Sequence, residues 1–294
     1  LSPATYDVRI RDRANPLCVV TLPAATITQP DPLSAAIVSD NITCNGANDG
    51  RIEISGAAGG SGAYQYSITG GSAWQSSGIF NYLSPGTYNV RLRDAANITC
   101  EITLDDALVI TQPARLTAVV SSSNVTCNGG NDGSITITSP AGGYNIYEYS
   151  IDGGISWDGI TSFTGLAPGF YNVQMRDAAH PACVVTLNGS VRITEPPVLS
   201  ASVTQTNLTC HGAGDGIITI SSPAGGHGAY EYTVTGGTPW RTTGTFSNLG
   251  PGSYDVRIRD AVNQTCEIPL GTLTITEPAA LTATVTSVDI SCFG

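Results

Sequence analysis

Residues 249–260 read Leu-Gly-Pro-Gly-Ser-Tyr-Asp-Val-Arg-Ile-Arg-Asp, and this stretch decides the fold. Pro251-Gly252 is turn chemistry. From Tyr254 onward the residues alternate, with Tyr254, Val256 and Ile258 on one face and Asp255, Arg257 and Arg259 on the other. That period of two is a half-buried β-strand, because successive side chains of a strand point to opposite faces. The same pattern returns at Leu1–Asp12, Leu83–Asp94 and Leu166–Asp177. The strand is therefore one part of a unit that repeats along the chain.

Working outward, the cysteines keep the same beat. Cys44, Cys127, Cys210 and Cys292 form one series and Cys18, Cys100, Cys183 and Cys266 a second, each stepping by 82 or 83 residues. Trp74, Trp157 and Trp240 follow with steps of 83. A fixed period of this length is the mark of a tandem array and outranks any local reading. It divides the chain into the end of one repeat (1–31), three complete repeats (32–114, 115–197, 198–279) and the start of another (280–294). Both ends fall inside a repeat, so the polypeptide is expected to continue beyond them.

Within the second complete repeat, seven short strands are expected. They are Leu116–Thr126, Ile135–Thr138, the segment of Tyr147, Tyr149 and Ile151, a short strand bearing Trp157, Phe163–Leu166, Tyr171–Asp177, and one from near Cys183 to Ile193. Gly-rich turns separate them, among them Cys127-Asn128-Gly129-Gly130-Asn131-Asp132-Gly133 and Asp152-Gly153-Gly154. Seven strands at this spacing predict a β-sandwich. The Leu-x-Pro-Gly-x-Tyr turn resembles the tyrosine corner of immunoglobulin and fibronectin type III folds. The fold expected is all-β: tandem immunoglobulin- or fibronectin-III-like sandwiches of about 83 residues in an extended fibre. Pro113, Pro196 and Pro278 mark stiff, short linkers.

Composition narrows the function. The chain has 294 residues, net charge −11, and 12 basic residues, all Arg. An acidic chain lacks the basic footprint that nucleic acid or an anionic membrane requires. No apolar run is long enough to span a bilayer. The cysteines lack the close pairs of a zinc site, so they are read as disulfides of an oxidising compartment. The three histidines, His180, His211 and His227, do not recur in register, and no nucleophile–base set is suggested, so no catalytic residue is assigned. Gly59-Gly60-Ser61-Gly62 lacks the Lys of a phosphate loop and is read as a loop between strands.

Two recurring features carry binding candidates. Asp49, Asp132 and Asp215 sit in Asn-Asp-Gly-like turns and are candidate calcium ligands, with turn formation the favoured reading because each loop offers one carboxylate where calcium needs six to eight oxygens. Asp12, Asp94, Asp177 and Asp260 recur too and are read as turn caps. Trp74, Trp157 and Trp240 are candidates for stacking on sugars, with a place in the core the favoured reading. Asn41, Asn97, Asn124, Asn207 and Asn263 begin Asn-x-Thr sequences, which in a eukaryotic host are glycan acceptors and in a bacterial one polar turn and strand residues.

The block Cys-Asn-Gly-x-Asn-Asp-Gly-x-Ile (44–52, 127–135), followed by Tyr-x-Tyr-Ser-Ile-x-Gly-Gly (64–71) and Leu-x-Pro-Gly-x-Tyr, resembles the SprB repeat of very large cell-surface adhesins of Bacteroidetes. The third repeat departs at His211 and Gly214. The resemblance implies an extracellular surface filament exported by the type IX route and, in gliding species, moved along the cell; the partners expected for each repeat are the neighbouring repeats of the same chain. An alternative is an array of weak sites for surface glycans or a substratum, one per repeat.

Disulfide pairing follows from strand parity. Five strands are counted between Cys44 and Cys100, which puts those cysteines at opposite ends of one sandwich. A strand of about ten residues spans roughly 33 Å, whereas a disulfide needs Cα atoms within about 7 Å. The favoured pairing is therefore Cys44–Cys183 and Cys127–Cys266, across the junctions. Pairing within repeats (Cys44–Cys100, Cys127–Cys183, Cys210–Cys266) is the alternative, since one miscounted strand reverses the parity.

Overall fold

The computed structural model describes residues 1–290. Cys292 and the segment 291–294 lie outside the described residues, so the start of a further repeat is seen only as 280–290, where no strand forms. The described residues contain strands and no helix. The chain makes two compact units. One comprises Leu1–Thr117 with Ala141–Tyr147 and Arg176–Val185; the other comprises Ala118–Pro140, Glu148–Met175 and Thr186 onward.

In the first unit, four short strands come first: β1 (Ala4–Tyr6), β2 (Arg9–Arg11), β3 (Val19–Thr21) and β4 (Ala25–Ile27). They pair as β1–β4 and β2–β3. Six more follow: β5 (Ser34–Asp40), β6 (Gly50–Ala58), β7 (Tyr64–Ser67), β8 (Ile79–Leu83), β9 (Gly86–Asp94) and β10 (Glu101–Ile110). Two antiparallel sheets result, ordered β5-β6-β8 and β7-β9-β10. Ile52 and Ile54 of β6 face Val90 of β9 and Ile110 of β10 in one core, with Tyr66 and Phe80 packed around them. Each fully buried aliphatic side chain here contributes about 1.5–3 kcal/mol relative to exposure. With the single bridge from Tyr66 to Gln75 counted as the fourth strand, the order first-second-fifth against third-sixth-seventh is that of an immunoglobulin-type sandwich.

The pattern recurs. β11 (Thr117–Ser123), β12 (Gly133–Ala141), β13 (Tyr147–Ser150), β14 (Ser162–Leu166), β15 (Gly169–Asp177) and β16 (Val184–Ile193) give sheets β11-β12-β14 and β13-β15-β16. In the second unit, β17 (Ser200–Thr206), β18 (Gly216–Ala224), β19 (Tyr230–Thr233), β20 (Thr245–Leu249), β21 (Gly252–Asp260) and β22 (Glu267–Ile275) repeat it again. Their core holds Ile218, Phe246, Val256, Ile258, Ile275 and Cys266. On β21, Val256 and Ile258 are buried and Arg257 and Arg259 partly exposed, the alternation expected of that strand.

The strand expected around Trp157 is reduced to a single bridge, Tyr149 to Asp158. Equivalent bridges join Tyr66 to Gln75 and Tyr232 to Arg241. Counting that bridge, the number of chain crossings between Cys44 and Cys100 is odd. The tyrosine corner closes in every copy: the hydroxyls of Tyr6, Tyr88, Tyr171 and Tyr254 donate to the carbonyls of Ser2, Ser84, Ala167 and Gly250 at 2.7–2.9 Å.

Gly133, which ends the Asn-Asp-Gly turn, serves packing and not turn conformation. A Cβ there would meet Ile193 Cγ2 and the Leu166 carbonyl at 2.8 Å. The strand must start with glycine for its neighbours to close over it.

Candidate functional site

The recurring residues converge where one repeat hands over to the next. One such place is the turn between β5 and β6. Ile42 is fully buried and anchors it. Its amide donates to the Thr111 carbonyl, and the Thr111 amide donates to Asn41 Oδ1 at 2.8 Å. Asp49 accepts from the amide and hydroxyl of Thr43 at 3.0 and 2.5 Å, and these bonds hold its carboxyl below the usual range. The tip of the turn then reaches the chain leaving β10. Asn45 Nδ2 donates to the Pro113 carbonyl at 3.1 Å, and the Gly46 amide donates to Gln112 Oε1 at 2.9 Å.

The same device sits between β11 and β12, where Asn128 Nδ2 donates to the Pro196 carbonyl and the Gly129 amide to Glu195. In the third copy His211 stands where the asparagine was and pairs with Glu277 at 3.2 Å, while the Gly212 amide bonds the same carboxylate. Each turn therefore clips the exit of its own repeat.

The linker is held from its other side as well. The Gly143 amide donates to the Ala114 carbonyl, and the Gly226 amide to the Pro197 carbonyl, both at 2.9 Å. Gly142 has φ +88°, and a Cβ on it would lie 2.1 Å from the Arg115 carbonyl oxygen. The paired glycines after β6, β12 and β18 form a cradle for linker backbone, a close approach that only glycine permits.

A buried carboxylate braces this loop. Asp260 accepts from the amide of His227 at 2.5 Å, from its ring Nδ1 position at 2.9 Å, and from the amides of Val262 and Asn263. Burial pushes its pKa up, but these bonds outweigh it and the net shift is downward. Asp94 does the same for Ser61, Ala96 and Asn97, with the Ser61 hydroxyl as the largest cause of a lowered pKa. Asp177 takes Tyr144, Ala179 and His180. The turn thus fixed carries the second cysteine.

That cysteine meets the clipped turn of the preceding repeat. Cys44 is bonded to Cys183 and Cys127 to Cys266, each with Cα atoms 5.3 Å apart. Cys183 and Cys266 are buried, and their sulfurs lie 3.3 Å from the carbonyls of Thr43 and Thr126. The alternative pairs Cys44–Cys100, Cys127–Cys183 and Cys210–Cys266 are not formed. Cys183 and Cys266 are committed elsewhere, and Cys100 and Cys210, like Cys18, are exposed thiols.

The family called the SprB repeat matches at residues 36–73, 119–155 and 202–239. The chain carries three SprB repeats. No curated protein matches the chain. Among solved structures, the three N-terminal domains of the highly immunogenic outer capsid protein (Hoc) of bacteriophage RB49 align with 83% of this chain and 96% of that one, at 10% identity and a TM-score of 0.32.

The matched part of each SprB repeat holds the clipped turn with Cys44, Cys127 or Cys210 and the paired glycines, and stops before the partner cysteines. The tryptophans of the SprB repeats leave the place favoured for them. Trp74, Trp157 and Trp240 are half-buried and absent from the two cores described. Arg93 lies 4.3 Å over Trp74 and Arg259 4.4 Å over Trp240. The rings are large and border a solvent-facing strand of arginines, so a cation–π contact takes the place of burial. Trp157 Nε1 donates to the Gly154 carbonyl at 3.0 Å. Asp49, Asp132 and Asp215 each spend their carboxylate on the nearby threonine, and no group of three or more His, Cys, Asp or Glu that could hold a metal occurs among the described residues.

The linker clamp was not read from the sequence. Asn45, Asn128 and the paired glycines sit in sequences that read as local turns and loops, whereas their partners lie in the linkers. Their in-phase return beside Pro113 and Pro196 was the available signal.

Proposed function

We propose that this chain is a non-catalytic spacer segment of an extracellular surface filament, built from sandwich domains at 32–114, 115–197 and 198–279 whose junctions are locked. One observation carries this reading: the disulfide from the clipped turn of one repeat to the braced turn of the next, beside a linker gripped from both sides. A short linker alone lets two domains bend; a second covalent connection next to it removes most of that freedom. The SprB repeats and the disulfides support a cell-surface protein in an oxidising compartment.

The partners of each repeat are its neighbours in the chain. Net charge −11 argues against nucleic acid. Among the described residues no helix is long and apolar enough to cross a membrane. All three histidines are used in structural contacts: His180 stacks at 4.2 Å from Tyr144, His211 pairs with Glu277 and His227 with Asp260.

NMR relaxation tests the reading. In the oxidised chain the three repeats tumble with one rotational correlation time, and after Cys44→Ser with Cys127→Ser they tumble faster and separately. Independent tumbling of the oxidised repeats would contradict a locked spacer.

A further inference from the structure

The two disulfides interleave: along the chain the order is Cys44, Cys127, Cys183, Cys266, and the first bonds the third while the second bonds the fourth. Each closes a separation of 139 residues, and the part of the middle repeat from Cys127 to Cys183, which holds β12 to β15, lies inside both loops. From this connectivity we infer a further mechanical function: the middle repeat is a tension-bearing link whose unfolding does not lengthen the chain. The inference stands on the two disulfides alone, whether or not the filament reading holds.

Covalent routes of different length join the first repeat to the third. Along the backbone alone, Ile110 at the end of β10 is 90 residues from Ser200 at the start of β17. Two shorter routes run beside it. One leaves Ile110, passes through the linker and β11, and crosses at Cys127 into Cys266, which is buried in the core of the third repeat. The other leaves the first repeat at Cys44, crosses to Cys183 and follows β16 and the linker to Ser200. Each contains 17 residues of chain.

At about 3.4 Å per extended residue, such a route reaches roughly 60 Å, whereas 90 residues reach roughly 300 Å. Tension between the flanking repeats is therefore carried by β11 and β16 as two parallel struts. Strands β12 to β15, between Cys127 and Cys183, are bypassed. While the first and third repeats stay folded, these strands can melt without being drawn out, and they remain positioned to refold; only when those repeats unfold too does the segment from Cys127 to Cys183 enter the taut path. An ordinary tandem sandwich has the opposite property, since each unfolding event releases a whole domain's contour.

Force spectroscopy on the full chain, pulled from its ends with free thiols alkylated, tests this. The taut path of the fully unfolded oxidised chain runs from Leu1 to Cys44, from Cys183 back to Cys127, and from Cys266 to Gly294. It contains about 127 residues and reaches roughly 430 Å. After reduction the limit rises to roughly 1,000 Å. An oxidised limit near the reduced one overturns the inference.

Within-repeat loops would give nearly the same oxidised limit, so a second variant separates the two. With Cys44→Ser and Cys183→Ser together, the interleaved arrangement leaves Cys127–Cys266 and a limit of roughly 520 Å. Loops within repeats would leave only the one from Cys210 to Cys266 and a limit of roughly 800 Å, which would also overturn it.

Discussion

Asn128 Nδ2 donates to the carbonyl oxygen of Pro196 at 3.0 Å, across 68 residues of sequence. The bond ties the turn beside Cys127 to the linker beside the Cys127–Cys266 disulfide, and Asn45 makes the equivalent bond to Pro113. A single hydrogen bond of this kind is worth about 0.5–1.5 kcal/mol net. Its value here is positional, because it fixes the linker next to the place where the disulfide must close.

Asn45→Ala is expected to loosen the linker without opening the first disulfide. Arg115, two residues past Pro113, then becomes a faster site for limited tryptic cleavage. The measurement is the rate of the first cut under native conditions, with the disulfide confirmed intact by mass. An unchanged rate would mean that Asn45 does not hold the linker.

Gly142→Ala and Gly129→Ala separate two reasons for glycine. Both positions have positive φ, so both variants pay backbone strain of about 1 kcal/mol or more. A Cβ on Gly129 meets nothing within 4 Å, whereas one on Gly142 would sit 2.1 Å from the Arg115 carbonyl. Thermal denaturation is expected to show the Gly142 variant as clearly the less stable. Equal losses would mean the linker yields freely and is not cradled.

Acid should loosen the braced turns through their aspartates. Asp94 and Asp260 have folded pKa values below the ordinary carboxylate value of 3.8. A depressed folded pKa gives stability that is present above the unfolded value and lost as pH falls through the folded one. Stability should therefore decline as pH drops below about 4. Asp94→Asn should lower stability near neutrality and flatten that decline, as read from denaturant midpoints across pH. A variant with the same acid slope as the parent would remove Asp94 from the account.

Ile258→Ala should cost about 2–5 kcal/mol, because Ile258 is fully buried in the core that also holds Cys266. Denaturant unfolding of the oxidised chain measures it. A loss under about 1 kcal/mol would mean the third sandwich does not depend on this packing.

The sandwich was legible because its strands announce themselves locally. The alternation of Tyr254, Val256 and Ile258 against arginines fixes which face of β21 is buried, and the Leu-x-Pro-Gly-x-Tyr corner places the turn before it. Pairing was legible one step further, through the odd number of crossings between Cys44 and Cys100. What stayed hidden depends on distant partners. Asn128 and Gly142 look like turn residues because they are turn residues; nothing local says that Pro196 and Arg115 come to meet them. Trp74 and Trp240 were favoured for the core by size and type, and the covering arginines come from a strand whose outward face was already known. The short strand expected at Trp157 forms only one bridge, from Tyr149 to Asp158, yet the crossing it makes still sets the parity.

The most direct test is the partner of Cys183. Alkylated, denatured but unreduced protein is cut with trypsin, which in this chain cleaves only at arginine. Cys183 then lies alone in the peptide 177–192. The account predicts that this peptide is joined to 14–51, which contains Cys44, and that reduction separates them. Joining to 116–176, which contains Cys127, would show each repeat closed on itself and would contradict both the locked junction and the bypassed middle repeat.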